Sequence, residues 1–417
     1  MARPNPRREA FEVHLDALEL GAACRAGTLH CDGTRKTAGL SFAYAPEWLA
    51  RNPFMLDPRL ALYAGDQHPV GDAASFGVFL DSAPDRWGRL LMDRREAQQA
   101  RREGRPRRTL RELDYLLGVN DQTRQGALRF CRPAGDFLDQ SPLPTPPVTA
   151  LSELGAICDR LEEEGVEELP EYEQWLSLLI APGSSLGGAR PKANFRDADG
   201  TLWIAKFPAK QDLHDVGGWE HVVHRLADAA KISVSSSRMV RLGSKHHTFC
   251  VQRFDRVGGS RRMYASAMTL LEKQDGQPAS YLEMAEFISV HGGAGHIASD
   301  LAQLFRRVVF NVLVSNRDDH LRNHGFIRVA DGWRLSDAFD MNPTLAKTTH
   351  ALALDEASDE PDIEAVVKTA AFYRLEEGQA LDILEEVAAV VATWAKVAAG
   401  CGLSKAEIGR MERAFLA

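Results

Sequence analysis

The chain has 417 residues, 44% hydrophobic and 26% charged, with a formal net charge of −8. That is the composition of an ordinary globular protein, long enough for two or three lobes with their own cores, and its acidic balance argues against a surface built wholesale for nucleic acid. No apolar run approaches the length of a bilayer span, and no apolar signal segment follows Met1–Arg8, so a cytoplasmic protein with no membrane role is expected.

Six cysteines without a C-x-x-C pair suit reduced thiols better than a disulfide frame or a zinc site. Residues 11–45 alternate apolar and polar positions with glycine punctuation, which predicts a small antiparallel sheet. From Phe79 to Leu117 the pattern turns helical and includes a basic run, Arg101, Arg102, Arg105, Arg107, Arg108 and Arg111. A solvated face accounts for that run, and an acidic partner or nucleic acid is the alternative. Asp139–Ala150, with four prolines, reads as a linker and sets a domain boundary.

Beyond it the spacing predicts helices at Leu151–Glu163 and Tyr172–Ile180, then a loop, Ser184-Ser-Leu-Gly-Gly-Ala-Arg-Pro-Lys192. Such a loop offers backbone N–H groups to phosphate, with Gly187, Gly188 and the Lys192 charge as the candidate contacts, although it fits neither G-x-G-x-x-G nor the Walker pattern. A hairpin follows, Lys192–Phe195 and Leu202–Phe207. Lys206 lies between Ala205 and Phe207, where an ammonium is costly unless an anion meets it. The helix at Gly218–Ala227 brings Glu220, giving the strand lysine and helix glutamate that hold the nucleotide phosphates in kinases. Two strands come next, Ser237–Arg241 and His247–Asp255. The second would end at a hinge around Gln252 to Phe254, whose backbone could meet an adenine ring.

The most specific stretch is Ser315–His324. The apolar helix Leu304–Val314 delivers a polar loop in which Asp318 and Asn323 fit D-x-x-x-x-N, the spacing by which an Asp takes the acceptor hydroxyl proton and an Asn reaches Mg²⁺. A hairpin, Gly325–Val329 with Trp333–Leu335, then carries Asp340 to where a second metal carboxylate belongs. His320 and His324 have the four-residue spacing of some zinc sites, but no H-E-x-x-H surrounds them, and a hydrogen-bonded structural His320 is expected. Helices predominate from Ser280 onward, including Ile363–Thr369 and Glu376–Ala399.

At these residues the chain resembles the HipA-like toxin serine/threonine kinases of bacterial type II toxin–antitoxin systems. Phe79-Leu-Asp-Ser-Ala-Pro-Asp-Arg-Trp-Gly88 and Asp121–Phe130 look like the family's amino-terminal subdomain; the Ser184–Lys192 loop, Ala205-Lys-Phe-Pro208, Val251–Arg256 and Asn316–His324 look like its kinase core. The resemblance implies an α+β, two-lobed protein-kinase-like fold. It would have a β-rich N-terminal subdomain (1–147), a small lobe with the phosphate loop and hinge (148–256) and a mainly helical C-terminal lobe (257–417).

It implies transfer of the γ-phosphate of ATP, with Mg²⁺, to a protein serine or threonine; family substrates include an aminoacyl-tRNA synthetase, whose modification promotes growth arrest. Carried over, Lys206 contacts the nucleotide phosphates, Asp318 is catalytic, and Asn323 and Asp340 bind the metal. Ser185, with Ser184 beside it, matches the family's autophosphorylated serine. The implied partner is a HipB-like helix-turn-helix antitoxin, through which DNA is reached indirectly. Two other readings stand beside this one: a small-molecule or lipid kinase with the same phosphate machinery, and a weakly active co-repressor acting with its antitoxin.

Overall fold

The computed structural model describes residues 8–32, 39–51, 54–71, 73–138, 144–183, 188, 190–356 and 358–416. It is a mixed α+β protein whose residues gather into two compact units, Met1–Leu202 with Asp255–Tyr264, and Trp203–Phe254 with Ala265–Ala417. Residues 148–202, read from the sequence as the start of the small lobe, are part of the first unit.

The first unit is built on an antiparallel sheet of β1 (Glu9–Leu15), β2 (Cys24–Asp32), β3 (Gly39–Tyr44) and β4 (Leu128–Cys131), in the order β3-β2-β1-β4. Alternation decides its faces. Phe11, Val13 and Leu15 of β1 are buried while Glu12 and His14 between them are only half-buried. Phe42, Phe79 and Phe130 meet in a chain of ring contacts at 5.6 and 6.0 Å, each ring contributing about 1.5–3 kcal/mol by its burial.

The helical stretch expected from Phe79 to Leu117 is made of helices α1 (Gly77–Asp81), α2 (Arg86–Arg102) and α3 (Glu112–Gly118), with breaks at Pro84 and at the Gly104–Pro106 segment. Helix α4 (Leu151–Leu161), helix α5 (Tyr172–Gly183) and strand β5 (Lys192–Arg196) follow, with α2 against α5. The basic run is largely neutralised within the unit. Arg105 and Arg108 converge on buried Glu96, Arg102 meets Glu173, Arg107 meets Asp93, and Arg111 meets Asp114.

The second unit takes in β6 (Leu202–Lys206) from Trp203 on, then α6 (Val216–Ala229), β7 (Ser237–Val240) and β8 (Thr248–Gln252); β8 pairs antiparallel with both β6 and β7. Then come α7 (Tyr281–His291), α8 (Ile297–Leu313), the hairpin β9 (Gly325–Val329) and β10 (Gly332–Leu335), and the helices α9 (Glu377–Val391) and α10 (Trp394–Gly400). The core of this unit sits around α8, whose Leu304, Phe305, Val308, Val309 and Val312 are buried.

The seat of α6 is fixed at its first turn. Asp215 caps the helix by accepting from Gly218 N at 3.0 Å, and the same oxygen accepts from His247 N at 2.9 Å, which ties the helix start to the approach of β8. Gly217 lets the two backbones close, since a Cβ there would lie 2.2 Å from the His247 carbonyl oxygen. Trp219, fully buried, locks the next position against Trp394 and Phe415. Gly217→Ala should therefore cost about 1–3 kcal/mol, as overpacking does, and lower the thermal midpoint of the full chain. An unchanged midpoint would mean that the helix does not need this approach.

Candidate active site

Lys206 extends from β6 toward two acids delivered by different segments. Its ammonium lies 2.5 Å from Glu220 Oε1 on α6 and 2.6 Å from Asp340 Oδ1 after the β10 strand. Glu220 is buried, whereas the Asp340 side chain is 41% exposed. Burial alone would discharge the lysine, but Asp340 and Glu220 outweigh it, and its pKa is held above the ordinary lysine value. The Phe249 ring, opposite Lys206 in the β6–β8 register, lies 5.9 Å beneath the ammonium.

The loop bearing Asp318 begins where α8 stops. The N–H of Asn316 bonds the Asn311 carbonyl at 2.9 Å and that of Ser315 bonds the Val312 carbonyl at 3.2 Å, the double closure of a Schellman motif. Ser315 takes the left-handed position, φ 49°, where glycine is usual. The chain thereby reverses and presents Asp318, whose side chain is 62% exposed and pairs with Lys347. Asn323 Nδ2 donates to the Asp318 carbonyl at 3.3 Å, which spends its amide nitrogen and leaves its oxygen as the group suited to a hard cation.

Beneath the loop, Asp319 is buried and accepts from Tyr281 Oη at 2.5 Å, Asn311 Nδ2 at 2.7 Å and His324 Nε2 at 2.7 Å. Burial works against its charge, but His324 and these bonds prevail, and its carboxyl is held below the usual range. The histidine fixed by a carboxylate is thus His324. His320, expected to be hydrogen-bonded, leaves its Nδ1 without a hydrogen-bond partner.

Asp340 is positioned by anchors just ahead of it. Leu335 N donates to Asp300 at 2.9 Å, buried Arg307 of α8 donates to the Ser336 carbonyl, and Ala338 N donates to the Ser233 carbonyl at 2.8 Å. Burial pushes the Arg307 pKa down to about 10. Asp340 itself has φ 58°, a conformation that side chains with a Cβ avoid and that Asp tolerates better than most. After it the chain returns to the loop through Asn342 N to Asn316 Oδ1 at 3.3 Å, Thr344 N to the Ser315 carbonyl at 2.9 Å and Arg317 Nη1 to the Lys347 carbonyl at 2.5 Å.

Lys206, Glu220, Asp318, Asn323 and Asp340 all belong to the second unit, Lys206 joined to Glu220 and Asp340, and Asp318 joined to Asn323. Gln252 ends β8, and its N–H is committed to the Ser236 carbonyl at 2.9 Å; Phe254 stacks on Phe339 with centroids 5.4 Å apart. Lys192 and Gly188 belong to the first unit, where Lys192 is buried and a Cβ on Gly188 (φ 90°) would meet its Nζ at 2.7 Å. Ser184, Ser185 and Gly187 lie outside the described residues. Two features escaped sequence reasoning. Lys347 carries no motif, and the Asp319 network joins positions as far apart as 281 and 324; only the adjacency of Asp319 to Asp318 could have pointed to it.

These elements in this order make a protein-kinase-like fold. The model of the HipA-like C-terminal domain matches residues 184–394, half of the chain, and the chain belongs to that family. A curated protein of Haemophilus influenzae described as "Putative kinase" is 28% identical over 167 residues, covering 35% of this chain and 48% of that protein, so the chain spans about half the length of this relative. Among solved structures, a chain of the Shewanella oneidensis MR-1 toxin–antitoxin system HipA, HipB and its operator DNA superposes with a TM-score of 0.68 at 16% identity, covering 97% of this chain and 96% of that one. At that identity the likeness is one of fold. Among the described residues no helix is long and apolar enough to cross a membrane.

Asp319→Asn should destabilise the protein by about 3 kcal/mol at neutral pH, because it breaks a buried charge-assisted network. The contribution of Asp319 is present above about pH 4 and is lost as pH falls through its depressed folded-state pKa. Denaturant unfolding at neutral and acid pH should thus show a shallower acid limb in the variant than in the parent.

Proposed function

We propose that this chain is a Mg²⁺·ATP-dependent protein serine/threonine kinase acting as the toxin of a type II toxin–antitoxin system. The observation that carries the reading is the Lys206 ammonium held between Glu220 and Asp340, in the same unit as the Asp318–Asn323 loop. Family membership supports it. A salt bridge kept only for stability needs one carboxylate. A second, half-exposed one has more value facing a ligand, and perturbed charge clusters of this kind mark functional sites.

Asp340 and Asn323 fit a magnesium ion. Both offer hard oxygen donors, and the two carboxylates on one ammonium leave a net negative charge for a cation to balance. Bound there, Mg²⁺ would neutralise charge on the nucleotide phosphates. Lys206, kept protonated and oriented by Glu220, binds the phosphates. Asp318, exposed at the loop tip, takes the proton of the acceptor hydroxyl. Lys347 beside it supplies a further cation to the phosphoryl group in transit.

Ser185, with Ser184 as its neighbour, is the proposed autophosphorylation site. A phosphate adds about −1.5 to −2 charge to a loop that must hold ATP phosphates, so the modification switches the enzyme off. The partner is a HipB-like helix-turn-helix antitoxin; the Shewanella structure contains HipA with HipB and operator DNA, and DNA would be reached here through such a partner.

Incubation with γ-labelled ATP should label the protein and a protein substrate, and Asp318→Ala or Asp340→Ala should abolish both signals. Label appearing only in a metabolite would mean a small-molecule kinase. Growth inhibition that survives Asp318→Ala would refute the kinase account of toxicity. Lys347→Ala should lower kcat roughly tenfold or more with little change in KM for ATP. Ser185→Ala should remain active but resist self-inactivation, with mass spectrometry locating the phosphate.

A further inference from the structure

The outer face of the first unit's sheet carries a cluster that phosphoryl transfer does not use. Glu12 and His14 are alternate residues of β1 and share that face, and Cys131 of β4 stands directly opposite Glu12 in the ladder. Glu12 Oε2 lies 3.4 Å from His14 Nε2 and 3.6 Å from Cys131 Sγ, and the three donor atoms fall within 4.8 Å of one another. We propose that Glu12, His14 and Cys131 form a site for one divalent ion of the zinc class, with water in the fourth position.

The separations from Glu12 suit a metal, and the histidine contact suits it better than a hydrogen bond. An N–H···O bond is normally about 2.9–3.0 Å, so the histidine contact is long. Tetrahedral zinc, with bonds of about 2.0–2.2 Å to N and O and about 2.3 Å to S, spaces its N and O donors about 3.4 Å apart and its S and O donors about 3.6 Å apart.

The surroundings suit a partly dried site. Phe137 sets its ring edge-on to His14 at 5.4 Å and bridges Cys131 through the backbone, which leaves Cys131 buried. Two cations share the face. Arg25 Nε is 3.5 Å from the other oxygen of Glu12, so Oε2 remains directed at His14 and Cys131, and Arg129 is committed to Asp121 and Asp16. Binding replaces the thiol proton of Cys131, which goes to solvent, with a sulfur–metal bond. The ion would clamp β1 to β4.

Cobalt(II) titration of the reduced full chain tests this. One equivalent should saturate a thiolate-to-cobalt charge-transfer band that zinc displaces, and Cys131→Ser should remove the band. Glu12→Gln, close in shape and retaining every thiol, should weaken binding about tenfold or more. Absence of a saturable band, its survival in Cys131→Ser, or unchanged affinity in Glu12→Gln would overturn the site. The result is independent of the kinase reading, since Asp318→Ala should leave the titration unaltered.

Discussion

The ammonium of Lys206 is the charge around which the second unit is organised. Removing such an ion from water costs several kcal/mol, and that cost is offset only where carboxylates come within contact distance. Glu220 and Asp340 do so from a helix and from a loop far along the chain. The Asp215 cap and the absence of a Cβ on Gly217 bring α6 to β8, and the ties from Asp300, Arg307 and Ser233 hold the segment before Asp340. The left-handed backbone of Asp340 is a local cost that this arrangement outweighs.

Under the exposed Asp318 lies a buried, hydrogen-bonded layer. Asp319 gathers Tyr281, Asn311 and His324 in the interior, and the Schellman closure of α8 sets the angle at which the loop leaves the helix. The division of labour is physical: neighbouring aspartates share a loop, one buried and accepting three hydrogen bonds, the other turned outward to meet a cation. Precise placement of an exposed group depends on such a satisfied layer beneath it.

Charge in the first unit is handled differently. Its arginine run looks from composition like a surface for an acidic partner, yet Glu96, Asp93, Asp114 and Glu173 absorb most of it. Its sheet meanwhile sets Cys131 beside Glu12 and His14, and no local spacing relates the cysteine to that pair. Strand pairing brings together residues 119 apart, a juxtaposition that no cysteine spacing along the chain encodes.

By itself the sequence determined the element types around the candidate site and the order of its groups. Alternation marks β1, the apolar stretch before Ser315 marks α8, and Lys206, Glu220, Asp318, Asn323 and Asp340 stand out because each is a costly or chemically specific residue beside an apolar run or turn. These are signals of short range, carried by neighbours along the chain. Tertiary structure alone decided that His324 is held by a carboxylate, that Lys347 reaches Asp318, that Arg307 anchors the segment before Asp340, and that the basic run is largely neutralised. Each of those depends on which distant segment comes to lie alongside, and that choice is set by burial and hydrogen-bond satisfaction over the whole fold rather than by spacing along the chain.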